Sequence, residues 1–219
     1  HNTRDWRSGI LGNFLHKAAR PFLKDSCIRA ACSTEAGEWM FGTDDIHLIP
    51  LPIDTEKFRF DPEKRNQIRE EFDDDGKKIL LHVGNFRKAK NHIFLIHLID
   101  ALEKRYPGKY VLYLVGSGPL YHEIKKEALK LPVRFLGSID NVPDIMSSAD
   151  IFLLPSFNEG LPTVALEAQA SGLPCLLSDH ITKECEITDL IRFEEITDMS
   201  GMENIYPWIH DCNWKAKNG

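Results

Sequence analysis

The sequence predicts an α/β fold, a Rossmann-like doubly wound parallel sheet, on three observations. Short apolar runs alternate with segments of helical period across residues 78–177. The runs are mostly apolar, as strands covered on both faces require. Glycine-containing turns rich in charged or hydroxyl side chains follow several of them, at the carboxyl ends where an open parallel sheet keeps its ligand site.

Taken in order, residues 5–20 read as an amphipathic helix, with Ile10, Leu11, Phe14, Leu15 and Ala18 at helical spacing before Pro21. Arg4, Arg7, Lys17, Arg20 and Lys24 make this region basic, which fits a solvated face or a peripheral membrane contact near anionic lipid or a lipid-linked acceptor. Ser33 and the glutamates after it form a capping start for a short helix ending near Gly42. Ile46 to Pro50 is a short strand, and Pro50, Pro52 and the charged stretch Asp61 to Lys78 read as an interdomain crossing. Strands follow at Lys78–Gly84, Tyr110–Val115, Val133–Leu136, Ile151–Leu154 and Pro174–Leu177. Helices are expected over Asn91–Tyr106, Leu120–Leu129, Val142–Ser148 and Pro162–Ala170. Beyond Asp189 the pattern fades; Leu190–Phe193 fits a last strand and Trp208–Gly219 gives no signal.

Composition narrows the function classes. A formal net charge of −6 argues against a nucleic-acid partner. Five scattered cysteines without a CxxC pair fit reduced thiols in a cytoplasmic setting. No apolar run reaches membrane-spanning length. The chain starts at His1 and in mid-pattern, so it reads as a piece of a longer protein.

Most of the chemistry sits at one helix start. Leu154 to Glu167 runs from a strand end through a short loop into a helix. Pro162 suits the first helical position, and Gly160 lets backbone approach a ligand. Leu161 completes the loop, and the free amides of Thr163 and Val164 would face a diphosphate at the positive end of the helix dipole. Glu159 and Glu167 bracket this start. Either acid could be a dipole-favouring or solvated residue. Yet the helix around Glu167 is apolar, and a carboxylate there needs hydrogen-bonding partners such as a diol. Gly84 and Asn85 open a second loop, whose Arg87, Lys88 and Lys90 can neutralise phosphate charge or remain a solvated basic loop. Ser117 and Gly118 lie in a Gly-x-Gly turn that needs no ligand. The histidines lack metal-ligand spacing, so no metal or other cofactor is expected, and His82 reads as a core residue.

These stretches together resemble the family-four retaining glycosyltransferases of the GT-B fold, of the bacterial capsular and exopolysaccharide type. Glu159 and Glu167, with seven residues between them, match that family's paired-glutamate motif in its Glu-Gly-Leu-Pro form. The loop ending Lys90-Asn91-His92, the turn Val115–Pro119, Arg134–Gly137 and Ala149–Ser156 match in order, and the likeness runs from roughly Cys32 to Asp189. The resemblance implies a remnant of an N-terminal acceptor domain plus the crossing over residues 1–54, a nucleotide-sugar-binding domain over 55–195 and a tail over 196–219.

It also implies roles. Glu159 would contact the donor sugar, Glu167 the ribose, Lys90 and Arg87 with the amides of Thr163 and Val164 the diphosphate, and backbone near Phe135 and Leu136 the base. His1 would be the end of the family's histidine motif near the sugar. The implied activity is transfer of a hexosyl-type sugar, with retention and without metal, from a UDP-linked donor to a carbohydrate or lipid-linked acceptor in cell-surface polysaccharide synthesis, at the inner face of the membrane. This piece alone would transfer poorly. Asn85 stands where the family usually has Arg, and Pro50–Asp54 departs from its usual crossing. Two rivals are a nucleotide-sugar 2-epimerase of the same fold and a degenerate nucleotide-binding domain without catalysis.

Overall fold

The computed structural model describes residues 28–43, 45–196 and 202–212. The expected basic helix over residues 5–20, and His1, lie outside them. The described chain runs β1 (Ala30–Ala31), α1 (Thr34–Phe41), β2 (His47–Leu48), α2 (Pro62–Glu71), β3 (Lys78–Val83), α3 (His92–Arg105), β4 (Tyr110–Val115), α4 (Tyr121–Glu127) and β5 (Val133–Gly137). It continues through α5 (Val142–Ser148), β6 (Ile151–Leu154), α6 (Thr163–Ala170), β7 (Cys175–Ser178), β8 (Ile191–Glu194) and α7 (Met202–Asp211).

Strands β3 to β8 form one parallel sheet in the order β5-β4-β3-β6-β7-β8, as the apolar runs predict. The chain builds outward from β3 to β5, then returns to the other flank of β3 and builds outward from β6 to β8. The order therefore reverses between β3 and β6, and a crevice opens there between the loops at the strands' carboxyl ends. Alternate side chains feed two cores. Leu81, Tyr113 and Phe152 pack on one face with Ala165 and Leu166 of α6. Leu80, Leu112 and Leu153 pack on the other with Leu95 and Ile99 of α3 and Ile205 and Ile209 of α7. Strands β1 and β2 make a separate two-stranded parallel pair. Among the described residues no helix is long and apolar enough to cross a membrane.

Two helices correct the sequence reading. The charged stretch after Asp61 is not merely a crossing, because it contains α2. Asp61 caps it by accepting from the N–H groups of Glu63 and Lys64, with Pro62 in the first helical position. Its buried face carries Arg65 and Arg69 beside Ile68, so hydrophobic periodicity cannot reveal it. The tail likewise contains α7, whose Met202, Ile205, Tyr206 and Ile209 are buried at helical spacing despite Pro207 within the helix. Lys78 holds the end of α7 in place, its Nζ donating to the carbonyls of Ile209, His210 and Cys212 at 2.8 Å each.

A buried carboxylate ties the base of the sheet together. Asp74 is fully buried and accepts from Lys77 Nζ at 2.8 Å, from Tyr113 Oη at 2.8 Å and from Arg134. Burial alone would raise its pKa, but these hydrogen bonds, led by Arg134, hold it down at about 2. A depressed carboxylate stabilises the fold above its unfolded pKa near 4, and that contribution disappears as pH falls through the folded value. We expect urea midpoints to drop between about pH 4 and pH 2, and Asp74→Asn to flatten that part of the profile. An unchanged acid limb in the variant would contradict this.

Candidate functional site

The crevice is built by two loops that fold against each other. After β3, Gly84 and Asn85 lead into a single 3₁₀ turn, Lys88–Lys90, which ends at Asn91 in the left-handed conformation (φ 50°, ψ 46°). After β6, the loop from Pro155 to Pro162 leads into α6. The N–H of Phe157 donates to the carbonyl of Ala89 at 2.9 Å, fixing the two loops side by side. Lys90 Nζ donates to Glu159 Oε1 at 2.5 Å, and both side chains are largely shielded from solvent.

The Gly-x-Gly turn after β4 backs this arrangement. Gly116 has φ +130°, and a Cβ there would stand 2.1 Å from the carbonyl oxygen of Gly84. Gly118 has φ +156°, and its Cβ would stand 2.7 Å from the carbonyl of Phe86. The glycines thus serve close backbone packing of one loop on the next.

Helix α6 begins at Thr163, one residue later than the sequence suggests. Pro162 is the N-cap with an extended backbone (φ −75°, ψ 101°) rather than the first helical residue. Ala165 N–H donates back to the Pro162 carbonyl at 3.0 Å. The N–H groups of Thr163 and Val164 meet no acceptor among the described residues, which leaves the positive end of the helix free to take an anion.

These groups converge on a cavity of about 480 Å³. Gly84, Asn85, Lys90 and Gly116 form one wall, and Glu159, Leu161, Pro162, Thr163, Val164 and Glu167 another. A neighbouring cavity of about 290 Å³ shares Asn85, Lys90, Glu159 and Leu161 and adds Arg87, Asn158 and Gly160. Glu167 is half-buried; burial raises its pKa, and the charge of Lys57 opposes that rise.

Beneath the cavity lie His82, His92 and Ser156, all buried. His82 Nδ1 is 2.8 Å from the carbonyl of Leu153, and the two rings meet edge to face at 4.7 Å. Burial, with the nearby Lys90, pushes His92 down to about 4 and His82 well below its usual value, so both rings are neutral at neutral pH. His82 is thus a core histidine, as its setting in the strand suggests. Among the described residues no group of three or more His, Cys, Asp or Glu side chains is placed to hold a metal ion.

The structure does not bring every candidate to the cavity. Ser117 is exposed outside the cavity lining, where its Oγ accepts from Ser138 Oγ at 3.0 Å, and Gly118 packs on Phe86. Phe135 and Leu136 sit on strand β5 and pack into the two cores, Phe135 against Phe86 and Tyr121. The wall expected from them is built instead by Ser138, Ile139, Asp140, Val142 and Pro143, just beyond the strand. Loop residues rather than strand residues can face a cleft at the sheet's carboxyl end, which is why the expected segment lies slightly too early. Lys57 and Phe58 also line the cavity, and the sequence does not signal them, since they stand in a proline-flanked segment with no local motif.

The same order of elements recurs in known proteins. The family model described as glycosyl transferases group 1 matches residues 63–189. EpsF of Bacillus subtilis (strain 168), named as a glycosyltransferase, is 35% identical over 201 residues, covering 85% of this chain and 51% of EpsF. The UDP-Gal:alpha-D-GlcNAc-diphosphoundecaprenol alpha-1,3-galactosyltransferase of Escherichia coli is 30% identical over 150 residues, covering 64% of this chain and 38% of that enzyme. The chain thus spans about half or less of these curated relatives. Among solved structures, Anabaena Alr3699/HepE in complex with UDP superposes with a TM-score of 0.78 at 18% identity, covering 99% of this chain and 63% of that one. Its complex with UDP-glucose gives a TM-score of 0.78 at 17% identity, covering 99% and 62%. With the family pattern matched across the crevice-forming strands and loops, the chain belongs to the group 1 glycosyl transferases.

Proposed function

We propose that this chain is the donor-binding part of a retaining glycosyltransferase that moves a sugar from a UDP-linked donor to a carbohydrate or lipid-linked acceptor in cell-surface polysaccharide synthesis. The observation that carries the reading is the Lys90–Glu159 pair at 2.5 Å, set at the sheet's switch point beside the open amides of α6 and the carboxylate of Glu167. Each part of a nucleotide sugar then has a chemical match. The diphosphate lies against Lys90 and the amides of Thr163 and Val164, with Arg87 at the edge. The ribose diol donates to Glu167. The sugar hydroxyls reach Glu159 in the adjoining cavity, and the base rests between Ile139, Val142 and Pro143.

In this reading the protein's work is orientation and charge stabilisation. Lys90, Arg87 and the helix start receive the charge that grows on the departing diphosphate, so a metal ion is not required. A structural likeness to a protein seen with UDP-glucose supports the donor. Kinship with an enzyme whose name specifies UDP-Gal and a diphosphoundecaprenol acceptor supports both donor and lipid-linked acceptor.

A thermal-shift screen tests this. UDP and UDP-sugars, with EDTA present, are expected to raise the melting temperature by several degrees at about 100 Kd, whereas CDP- and GDP-linked sugars have less effect. No shift with any nucleotide would end the reading. Release of free epimerised sugar without an acceptor would redirect it to an epimerase.

A further inference from the structure

Lys57 lines the main cavity, yet it arrives from the segment before α2 and belongs to neither loop that builds the Lys90–Glu159 pair. Its placement is fixed by backbone. Asp54 Oδ1 accepts from the N–H of Lys57 at 3.0 Å, closing the turn that presents it. Ser171, just past the end of α6, donates its hydroxyl to the carbonyl of Phe58 at 2.8 Å and its N–H to that of Glu167 at 3.0 Å. One serine thus pins the Lys57–Phe58 segment against the turn of α6 that bears Glu167, with Phe58 buried in the core beneath. Lys57 is exposed at the cavity's rim, its Nζ lies 5.8 Å from the centroid of the Phe58 ring, and among the described residues it forms no ion pair.

We propose that Lys57 is a positioning residue that keeps the Glu167 carboxylate ionised while a nucleotide's ribose occupies the cavity. The inference rests on the nucleotide-sugar reading of the same site and assigns to it a residue outside the paired-glutamate motif.

The chemistry follows from what a diol requires. A carboxylate accepts two hydroxyl hydrogen bonds, whereas a protonated acid surrenders part of that capacity. Glu167 is already half-buried, and a bound nucleoside would remove more water from it, which favours the protonated form. A neighbouring cation opposes this, and more effectively as the local dielectric falls. The other charged groups around the cavity cannot take that part. Lys90 is paired with Glu159, and Asp140 on the β5–α5 loop carries the wrong sign. Arg59, further along the segment, pairs with Glu56 at 3.8 Å. Helix α6 has no other ionisable side chain, and strands β6 and β7 beneath it present no carboxylate or cation.

The experiment compares uridine and UDP binding to the wild type, Lys57→Met, Lys57→Arg and Glu167→Gln across pH. Uridine has the diol but no phosphate, so it separates action through Glu167 from direct contact with the diphosphate. For Lys57→Met we expect uridine binding to weaken progressively as pH falls below neutral, toward a limit of about tenfold for each pKa unit by which Glu167 rises, and to stay within about twofold of wild type near about pH 8. Lys57→Arg should restore the wild-type profile. In a Glu167→Gln background, Lys57→Met should add nothing further for uridine. A loss confined to UDP and equal at every pH would show a phosphate contact and overturn the proposal. An unchanged pH profile in Lys57→Met would overturn it while leaving the nucleotide reading intact. Failure of the wild type to bind either ligand at any pH would overturn both.

Discussion

Lys90→Ala should weaken UDP binding by about ten- to a hundredfold, measured by calorimetry, because charge-assisted hydrogen bonds of this kind contribute roughly 1.5–3 kcal/mol. The loss has two physical parts. One is the cation itself, which would face the diphosphate. The other is the fate of Glu159, whose carboxylate is only 13% exposed and accepts from Lys90 at 2.5 Å. Without Lys90 that charge is left largely buried and unpaired beside an incoming polyanion, and repulsion adds to the missing attraction. The double variant Lys90→Ala/Glu159→Ala should therefore bind UDP better than Lys90→Ala alone, a coupling that a cycle of the four proteins measures. If the two losses simply add, the pair does not act as a unit at the phosphate and the assignment of Lys90 fails.

The parts of this site that were legible in the sequence share one property: each is local. The strand-loop-helix run from Leu154 to Glu167 carries its own glycine, proline and paired acids, and its loop falls where the sheet reverses. The central strands could be read from composition because both faces are covered, so that every position tends to be apolar. What the sequence does not reveal depends on contacts between distant segments. Lys57 comes to line the same cavity as Glu167 because Ser171 holds the carbonyl of Phe58, and no spacing rule expresses that. Helix α2 hides its buried face behind Arg65 and Arg69, whose partners lie some eighty residues away on α5 and at the start of β6. Two stretches that carry the family likeness also have structural work. Arg134 reaches back to Asp74, and Asp150 receives both arginines of α2. A motif match alone cannot separate such residues from those that touch a ligand.

Asp150 supplies the largest expected effect on stability. Its carboxylate accepts from Arg65 at 2.6 Å, from Arg69 at 2.5 Å and from the N–H of Ile79 at 2.8 Å. The side chains of Arg65, Arg69 and Asp150 are 7%, 8% and 12% exposed. The arginines continue into the end of α5, where Arg65 donates to the carbonyls of Ser147, Ser148 and Ala149 and Arg69 to that of Ser148. Burial pushes the Arg65 guanidinium below its usual pKa, and Asp150 is the main group opposing that shift. Asp150→Ala would remove the carboxylate that two buried guanidinium ions share, which costs about 3–5 kcal/mol. For a chain of this size that lowers the melting temperature by roughly 10 °C. Replacing Arg65 and Arg69 by Met in the same protein should recover part of the loss, since the uncompensated charges go; the carbonyls at the end of α5 would still lack their donors. The same layer joins α5, whose first turn supplies Val142 and Pro143 to the cavity, to β6, which leads to Glu159. Asp150→Ala should therefore weaken UDP binding as well, although Asp150 touches no ligand. A loss of stability below about 1 kcal/mol would mean that water reaches these arginines, and that α2 is not what holds the cavity wall in position.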